Sequence, residues 1–478
     1  MFGLDRESGV PLPAQIAAHI RSLIADGTMR AGDAVPSSRQ LAGDLQVSRG
    51  TAVAAYDQLV AEGYLVTRPG GATRVHPDAV DTRARAASAA HAEDPSGPWA
   101  TPRGQAAGIG GSPAPSSGHP RVAGDGRPAI DLRPGFSREE VAADSMWREA
   151  WRSAAGSVGE DDDGRGLEAT RKAIAEHLRL TRAMNVDPGD IVVTGGAREG
   201  LFSLLSSLQE LGFRSSVAIE NPGYPGLRGA IRRSGIEVLS MAEEIPAAAG
   251  AAVVTPNRLY PLGGSMPAPR RMELLRTAER YGTLIIEDDL DSQYRHIGPL
   301  MPTLWELAPG AVAHLGTFNQ VLSAQARLGY LIIARQFQEP LLGFRRDLGL
   351  TPSAIAQRAL ATYLDHGGLR RYLARRRREV ARRRELALEL LGAVDLRMHA
   401  EATAIVRLPR EEVWAVVAEC RSGGVLIESL ASYWSGGEEA GIVFTYGRGT
   451  VEELRRAMML ISMAIRRCAT PIEARSAL

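Results

Sequence analysis

Residues that could bind an anion occur at three places in the sequence. Gly195-Gly196-Ala197-Arg198 precedes a predicted helix, and free backbone amides at a helix N-terminus attract negative charge. Thr317 and Arg327 could add a hydroxyl donor and a positive charge to that loop. Arg198 could equally be an exposed arginine of the first helical turn with no ligand. The pattern therefore favours an anion site and leaves that alternative open.

A second feature is the absence of a nucleophile. The stretch from Gly316 to Tyr330 reads GTFNQVLSAQARLGY and links two predicted strands, at 311–315 and 328–333. Gln320 lies in the turn between them, and a carboxamide nitrogen cannot form an imine with an aldehyde. The single lysine of the chain, Lys172, lies in the amphipathic helical pattern LEATRKAIAEHL. We expect Lys172 to be a solvated helix residue and not a substitute amine.

The composition limits the class of protein. A chain of 478 residues is long enough for two or more domains. Its 56 basic and 55 acidic residues nearly balance, so no global field indicates nucleic acid, although a local basic face is compatible with that balance. Cys420 and Cys468 are the two cysteines and give no disulfide framework. The lack of an apolar signal segment and of any run of about 20 apolar residues predicts a soluble, cytoplasmic protein with no membrane partner.

The first 77 residues have the pattern of a small helical module. Apolar residues recur at helical spacing between Ile16 and Ile24. Ser37 and Ser48 are suitable N-caps for two further helices, which a tight turn joins into a helix-turn-helix. The segment from Tyr64 to Val75 predicts two strands around a Pro-Gly-Gly turn at 69–71, that is, a β-hairpin wing.

The PSSRxLA, VSRxT and AEGYL stretches of this module resemble the winged-helix domain of GntR-type transcription regulators. The resemblance implies binding to double-stranded promoter DNA, in which phosphates and base edges of the major groove are contacted by Arg39, Ser48, Arg49 and Thr51. It also implies that Gly71 lets the wing approach the DNA backbone closely. A winged helix that binds another protein, with ordinary surface arginines, is the alternative.

Beyond residue 77 the sequence changes character twice. Residues 78–127 are rich in Ala, Gly, Pro and Ser, which predicts a flexible linker. From 128 to 478, predicted strands alternate with helices, which favours an α/β domain with a largely parallel sheet and ligands at the carboxyl ends of its strands. The predicted strands begin near Ile191, Ser216, Ala251, Thr283, Ala313 and Tyr330. We expect a large part at about 128–394 and a smaller part at about 395–478.

Three motifs of the second domain resemble those of MocR-type regulators, the GntR subfamily with an aminotransferase-like domain. They are ENPGYPG at 220–226, EDDLDSQYR at 287–295, and the segment from GTF to RLGY. The resemblance implies an α+β winged helix-turn-helix followed by an α/β fold-type I pyridoxal phosphate-dependent transferase-like domain with a smaller C-terminal subdomain. It also implies a head-to-tail homodimer, and therefore two winged helices on a two-part operator.

The resemblance also implies a cofactor-like pocket, from which this chain departs at several positions. Asp288 stands where the family has an aspartate that pairs with the pyridine nitrogen, whereas Gln320 replaces the Schiff-base lysine. Leu290 stands where a tyrosine is common, and Val443 where aminotransferases usually have the arginine that clamps the substrate carboxylate. The implied pocket residues are Gly196, Ala197, Arg198, Tyr224, Tyr260, Asp288, Thr317, Asn319, Gln320 and Arg327.

Three functions are compatible with these patterns, and a domain that binds no ligand and acts only as a dimerisation scaffold is a further alternative. The first is a DNA-binding transcription regulator whose aminotransferase-like domain dimerises and senses a small anionic effector without a lysine internal aldimine. The second is a regulator that binds pyridoxal 5′-phosphate non-covalently. The third, an aminotransferase, is disfavoured because its chemistry proceeds through an imine that Gln320 cannot form. We therefore expect no catalytic residue, no metal and no covalent cofactor.

Overall fold

The computed structural model describes most of the chain outside the predicted linker. The described residues are 4–6, 12–25, 28–61, 64–66, 72–76, 130–134, 144–156, 162–289, 302–322, 326–391, 396–398, 402–435 and 440–468. Gly71, Leu290 and the predicted linker lie outside these residues, so the roles expected of them stay predictions.

The described part of the N-terminal module contains α1 (Leu12–Ala25), α2 (Ser38–Asp44), α3 (Arg49–Ala61), β1 (Leu65–Val66) and β2 (Arg74–Val75). The two predicted N-caps are confirmed. The Ser37 hydroxyl accepts a hydrogen bond from the Gln40 amide at 3.1 Å, and the Ser48 hydroxyl accepts one from the Thr51 amide at 3.1 Å. Strands β1 and β2 pair antiparallel. The helix-turn-helix and the base of the wing therefore form as predicted.

A small apolar core holds these elements together. Ile16, Ile20 and Ile24 lie at successive turns of α1 and are buried against α3, where Leu59 is also buried. The Tyr56 hydroxyl donates to the Pro36 carbonyl at 2.6 Å, which fixes α3 to the start of α2. This packing leaves the N-terminal ends of α2 and α3 exposed to solvent.

A seven-stranded sheet forms the centre of the second domain. Its strands are β4 (Ile191–Thr194), β5 (Ser216–Glu220), β6 (Glu237–Met241), β7 (Ala251–Val254), β8 (Leu284–Asp288), β9 (Val312–Thr317) and β10 (Gly329–Ile332). Their order is β4-β10-β9-β8-β7-β5-β6, and β10 runs antiparallel to both of its neighbours while the other adjacent pairs are parallel. The predicted largely parallel sheet is confirmed. Strand β6, at the edge, is an addition to the predicted set.

Helices cover both faces of this sheet. They are α4 (Ser145–Ala155), α5 (Glu168–Arg182), α6 (Ala197–Glu210), α7 (Pro225–Arg233), α8 (Ala268–Tyr281), α9 (Leu304–Leu307), α10 (Gln338–Asp347) and α11 (Ala354–Asp365). Successive strand residues point to opposite faces, so Val192 packs in the apolar core that includes α6, α7 and α10, whereas Val193 packs in the core that includes α4, α5, α8 and α11. Burial on both faces explains why these strands are continuously apolar.

The smaller part contains α12 (Gly368–Leu391), α13 (Arg410–Ser422), α14 (Val451–Cys468), β11 (Leu396–Met398), β12 (Thr403–Arg407), β13 (Val425–Leu426), β14 (Glu428–Ser429) and β15 (Gly441–Thr445). Four of its strands form a sheet in the order β11-β12-β15-β14. Strand β3 (Ile130–Asp131) pairs in parallel with β13, so the start of the second domain packs in the core of the smaller part. That contact joins segments far apart in sequence.

The arginine-rich helix α12 is bound through its inner face to the loop at residues 447–449 of the smaller part. Arg376 donates to the carbonyl of Gly447 at 2.7 Å, and Arg383 donates to the carbonyls of Arg448 and Gly449, each at 2.7 Å. Both arginines also form ion pairs with Glu379. These buried arginines are therefore structural residues of the helix.

Candidate functional site

A cavity of about 240 Å³ lies at the carboxyl ends of β4, β8 and β9. This edge of an α/β sheet is where ligands usually bind. The cavity brings together nine of the ten predicted pocket residues: Gly196, Ala197, Arg198, Tyr224, Asp288, Thr317, Asn319, Gln320 and Arg327. Gly195, Glu199 and Leu227 complete the lining.

The loop at the end of β4 has a backbone conformation that glycine alone adopts readily. Gly196 is the N-cap of α6 and has φ 110° and ψ 170°. A Cβ atom on Gly196 would lie 2.3 Å from the Asn319 side-chain nitrogen. The close approach places the first amides of α6 beside the cavity, where the helix N-terminus provides a positive potential.

The turn after β9 is held by its own side chains. The Asn319 amide donates to the Thr317 hydroxyl at 3.2 Å, and the Asn319 side-chain oxygen accepts from the Leu328 amide at 3.0 Å. Arg327 has φ 50°, in the left-handed region, and its side chain is exposed. The turn thus presents a hydroxyl, a carboxamide and a guanidinium towards the loop of Gly196.

Asp288 is the last residue of β8 and is only 3% exposed. Its neighbour Asp289 is anchored separately, because the Asp289 carboxylate accepts from the Asn257 side chain at 2.8 Å and from Arg182 at 3.2 Å. This anchoring fixes the strand end from which the Asp288 carboxylate enters the cavity. Asp288 is therefore a buried residue of the cavity lining.

Gln320 is 3% exposed and lines the same cavity. The single lysine of the chain lies elsewhere: the Lys172 ammonium is 2.7 Å from the Glu168 carboxylate on the surface of α5, and its side chain is 64% exposed. The prediction that Lys172 is a solvated helix residue is confirmed. The single lysine of this chain therefore does not line the cavity.

Tyr260 does not line the cavity but packs behind it. Its ring centroid lies 5.5 Å from that of Tyr224 and 5.4 Å from that of Tyr433. Val443 is fully buried in the same apolar cluster. The guanidinium of Arg258 stacks on Tyr260 with 5.0 Å to the centroid and donates to the Thr403 hydroxyl at 2.6 Å. These residues form a packed aromatic and apolar contact between the two parts of the domain.

Two charged residues at the cavity have defined partners. Arg198 donates to the Tyr224 hydroxyl, and its guanidinium lies 5.3 Å from the centre of the Tyr224 ring. Glu199, which is not among the predicted pocket residues, accepts from the Gly195 amide at 2.6 Å. An acidic residue in the first turn of a predicted helix is the sequence signal that could have indicated this cap.

Glu220 ends β5, directly before the segment that carries Tyr224. Its carboxylate accepts from the amide and the hydroxyl of Thr255, at 2.9 Å and 2.5 Å. Burial raises the pKa of Glu220 to about 7 despite these hydrogen bonds. The protonation state of this carboxyl therefore changes in the physiological range.

Four of the predicted DNA-contacting residues, Arg39, Ser48, Arg49 and Thr51, lie at the N-terminal ends of α2 and α3. Arg39 and Arg49 are exposed in the first turns of α2 and α3. The hydroxyls of Ser48 and Thr51 lie 2.8 Å apart, so they form a pair at the N-terminus of α3.

In the described residues, no helix is long and apolar enough to cross a membrane, and no group of three His, Cys, Asp or Glu side chains could hold a metal.

Comparisons with known proteins match both parts of the chain. Residues 12–75 match the family "Bacterial regulatory proteins, gntR family", and residues 136–451 match "Aminotransferase class I and II". An archaeal alanine:glyoxylate aminotransferase has a similar fold, with a TM-score of 0.64 and 20% identity over 72% of this chain and 92% of that one. An aromatic aminotransferase from Pyrococcus horikoshii gives a TM-score of 0.63 at 18% identity, over 71% and 97% of the two chains. The predicted fold class is thereby confirmed.

Two relatives are similar over both domains. The HTH-type pyridoxine biosynthesis transcriptional regulator PdxR of Corynebacterium glutamicum is 36% identical over 97% of this chain and 98% of its own length. The probable rhizopine catabolism regulatory protein MocR of Rhizobium meliloti is 31% identical over 82% of this chain and 79% of its own. Their names confirm the predicted class of transcription regulator. The chain therefore belongs to the MocR-type group of gntR-family, DNA-binding transcription regulators, in which the helix-turn-helix is fused to a class I and II aminotransferase domain.

Proposed function

We propose that the cavity of the aminotransferase-like domain binds a small anionic effector without a covalent bond, and that this binding regulates the DNA affinity of the winged helices. The observation that carries the proposal is the meeting of an anion loop, a buried carboxylate and Gln320 in one cavity. The volume of about 240 Å³ suits a compact ligand, since drug-sized ligands occupy about 300–1,000 Å³.

The anionic group of the effector would lie at the N-terminus of α6. The amides of Ala197 and Arg198 belong to the first turn of that helix, where backbone donors have no partner within the helix. Thr317 and the exposed Arg327 lie across the cavity and add a hydroxyl and a positive charge. The dipole of α6 and the Arg327 guanidinium both attract negative charge, which favours a phosphate or a carboxylate as the bound group.

Catalysis is not part of the proposal. Amino-group transfer in this fold uses a lysine to hold the cofactor and an arginine to bind the substrate carboxylate. Here Gln320 offers no nucleophilic amine, and Val443 is enclosed in an apolar cluster with Ile405 and Leu430. Both chemical requirements are therefore missing, and we infer that the domain is a sensor and not an enzyme.

Pyridoxal 5′-phosphate, held non-covalently, is the specific candidate that the donor set supports. The loop of Gly196 fits a phosphate ester, and the buried Asp288 carboxylate suits the protonated nitrogen of a pyridine ring. The bound cofactor would supply an aldehyde and an electron-withdrawing ring. The cavity residues position these groups, but Gln320 supplies no amine that could bond to the aldehyde.

The side chains that contact DNA are proposed from their exposure and their position at helix N-termini. We propose that Arg39 and Arg49, which are exposed at helix N-termini, contact phosphates and base edges, and that the Ser48 and Thr51 hydroxyls contribute beside them. A head-to-tail homodimer would present two winged helices to a two-part operator. The effector would then act by shifting the arrangement of the two DNA-binding modules.

A titration with pyridoxal 5′-phosphate tests the proposal, with the wild-type protein and Gln320→Lys measured side by side. We expect a rise in the melting temperature of the wild type, since a ligand at 100 times its Kd stabilises the native state by about 2.7 kcal/mol. We expect the visible absorbance of a lysine-bound cofactor only in Gln320→Lys. Such absorbance in the wild type, or measurable amino-group transfer, would contradict the proposal. A wild type without any thermal shift would exclude pyridoxal phosphate and leave other small anions to be tested.

A further inference from the structure

The cavity contains a carboxylate beside its anion loop, which should oppose anion binding. Glu199 lies in the first turn of α6 and lines the cavity. Its Oε2 accepts a hydrogen bond from the Gly195 amide at 2.6 Å, so this side chain also fixes the loop. Two like charges a few ångströms apart in a partly buried site repel strongly. The loop can bind an anion well only if the charge of Glu199 is balanced.

Arg345 supplies the balancing charge from beneath the cavity. This residue of α10 is 2% exposed, and its Nη1 donates to Glu199 Oε1 at 2.5 Å. The Ser203 hydroxyl donates to the same oxygen at 2.6 Å. Both carboxylate oxygens of Glu199 therefore have donors, and the negative charge is paired on the side away from the cavity.

The position of Arg345 is itself fixed by the backbone. Its Nη2 donates to the carbonyl of Val193, in β4, at 3.0 Å and to the carbonyl of Leu350 at 2.5 Å. Movement of the guanidinium would leave the buried Val193 carbonyl and the partly buried Leu350 carbonyl without this donor, which is unfavourable. A continuous set of contacts thus runs from α10 through Arg345 and Glu199 to the Gly195 amide and the loop.

We infer that Arg345 is a positioning residue of the effector site, which makes the loop selective for a phosphate-bearing ligand by neutralising and holding Glu199. This inference rests on the proposed function of the cavity. Arg345 is not among the residues that line the cavity, so it acts on the ligand through charge and loop geometry. Loss of Arg345 would leave the Glu199 carboxylate facing the ligand phosphate without a counter-charge.

Pyridoxamine 5′-phosphate and pyridoxamine are the probes for this inference, because they share a ring, differ in the phosphate and have no aldehyde. Their Kd values are measured by calorimetry on the full chain for wild type, Arg345→Met, Glu199→Gln and the double variant. Arg345→Met should weaken the binding of pyridoxamine 5′-phosphate about tenfold, because the unbalanced Glu199 charge repels the phosphate at short range. The affinity for pyridoxamine should be nearly unchanged. The double variant should recover the phosphate affinity, because it no longer has the unpaired carboxylate.

Arg346→Met is the matched control, since Arg346 follows Arg345 on α10 but has a side chain 61% exposed. It should leave both affinities unchanged. Equal losses for both ligands in Arg345→Met, or no recovery in the double variant, would overturn the inference while the proposed function stands. Equal affinity of the wild type for the two ligands would overturn the proposed anion site and this inference with it.

Glu199→Gln tests the inference about Arg345 and Glu199 independently if Arg345→Met does not fold. Its carboxamide oxygen can still accept from the Gly195 amide while the negative charge is removed. The carboxamide nitrogen then replaces the oxygen that accepted from Arg345, which keeps its hydrogen bonds to the carbonyls of Val193 and Leu350. The affinity for pyridoxamine 5′-phosphate should rise several-fold, and that for pyridoxamine should not change. A weaker affinity for the phosphate ligand in Glu199→Gln would overturn the inference.

Discussion

Gly196→Ala is the substitution for which the structure gives the clearest expectation. Gly196 has φ 110° and ψ 170°. In this backbone region a residue with a Cβ atom is destabilised by about 1–3 kcal/mol. The added methyl group would also lie 2.3 Å from the Asn319 side-chain nitrogen. The substitution therefore strains the loop backbone and displaces a neighbour.

Asn319 cannot move away without a further loss. It is 7% exposed, and its side-chain oxygen accepts from the Leu328 amide at 3.0 Å. A buried amide that loses its acceptor costs about 1–3 kcal/mol. The two contributions together predict that Gly196→Ala lowers the free energy of unfolding by about 2–6 kcal/mol, a large part of the ~5–15 kcal/mol typical of a folded domain.

Urea unfolding followed by tryptophan fluorescence measures this change, with Gly229→Ala as the control. Gly229 lies in α7, and a Cβ atom there would have no heavy atom within 4 Å, so alanine should stabilise the helix by about 0.5–1 kcal/mol. The affinity for pyridoxal 5′-phosphate should fall in Gly196→Ala and remain in Gly229→Ala. Equal free energies of unfolding for the two variants would refute the reasoning about the loop.

Two further substitutions test other parts of the molecule. Arg49→Ala should weaken operator binding roughly 5- to 150-fold in fluorescence anisotropy, since a specific arginine contact contributes about 1–3 kcal/mol, with little change in thermal stability. The raised pKa of Glu220, about 7, means that the folded state retains a proton that the unfolded state loses near its usual value of 4.5. Stability from Glu220 is thus fully present below pH 4.5 and is lost as pH rises to 7, by up to about 3 kcal/mol. Glu220→Gln should flatten that part of the stability profile.

Each of these two tests has its own control. Arg152, whose side chain is 70% exposed on α4, provides a matched arginine to alanine change outside the winged helix and should leave operator affinity intact. Equal operator affinity of Arg49→Ala and wild type would remove Arg49 from the proposed DNA surface. A wild-type melting temperature that rises between pH 5 and 7 relative to Glu220→Gln would show that the carboxyl is charged in the folded state.

Local patterns in the sequence predicted much of the fold. Ser37 and Ser48 cap helices because a hydroxyl at that position bonds to an amide two or three residues away, an interaction that needs no distant partner. The central strands were predicted because both faces are buried and their residues are continuously apolar. Edge strand β6 was not predicted, since its residues are mostly exposed or half-buried and include Glu237 and Ser240.

Contacts between residues far apart in sequence could not be predicted from such local patterns. Strand β3 pairs with β13 almost 300 residues later, and no local pattern specifies that partner. Tyr260 was expected in the pocket but packs against Tyr224 and Tyr433. Its position depends on how the two parts of the domain close on each other, which is a property of their packed surfaces.

The sequence by itself determined that Gln320 cannot form an imine and that the single lysine of the chain is at position 172. Only the tertiary structure decided which groups share the cavity. Asp288, the loop of Gly196 and Arg327 come together because three strands end at one edge of the sheet, and Glu199 is balanced because α10 places Arg345 beneath it. Reactivity belongs to individual side chains, whereas burial, charge balance and proximity arise from contacts between residues far apart in sequence.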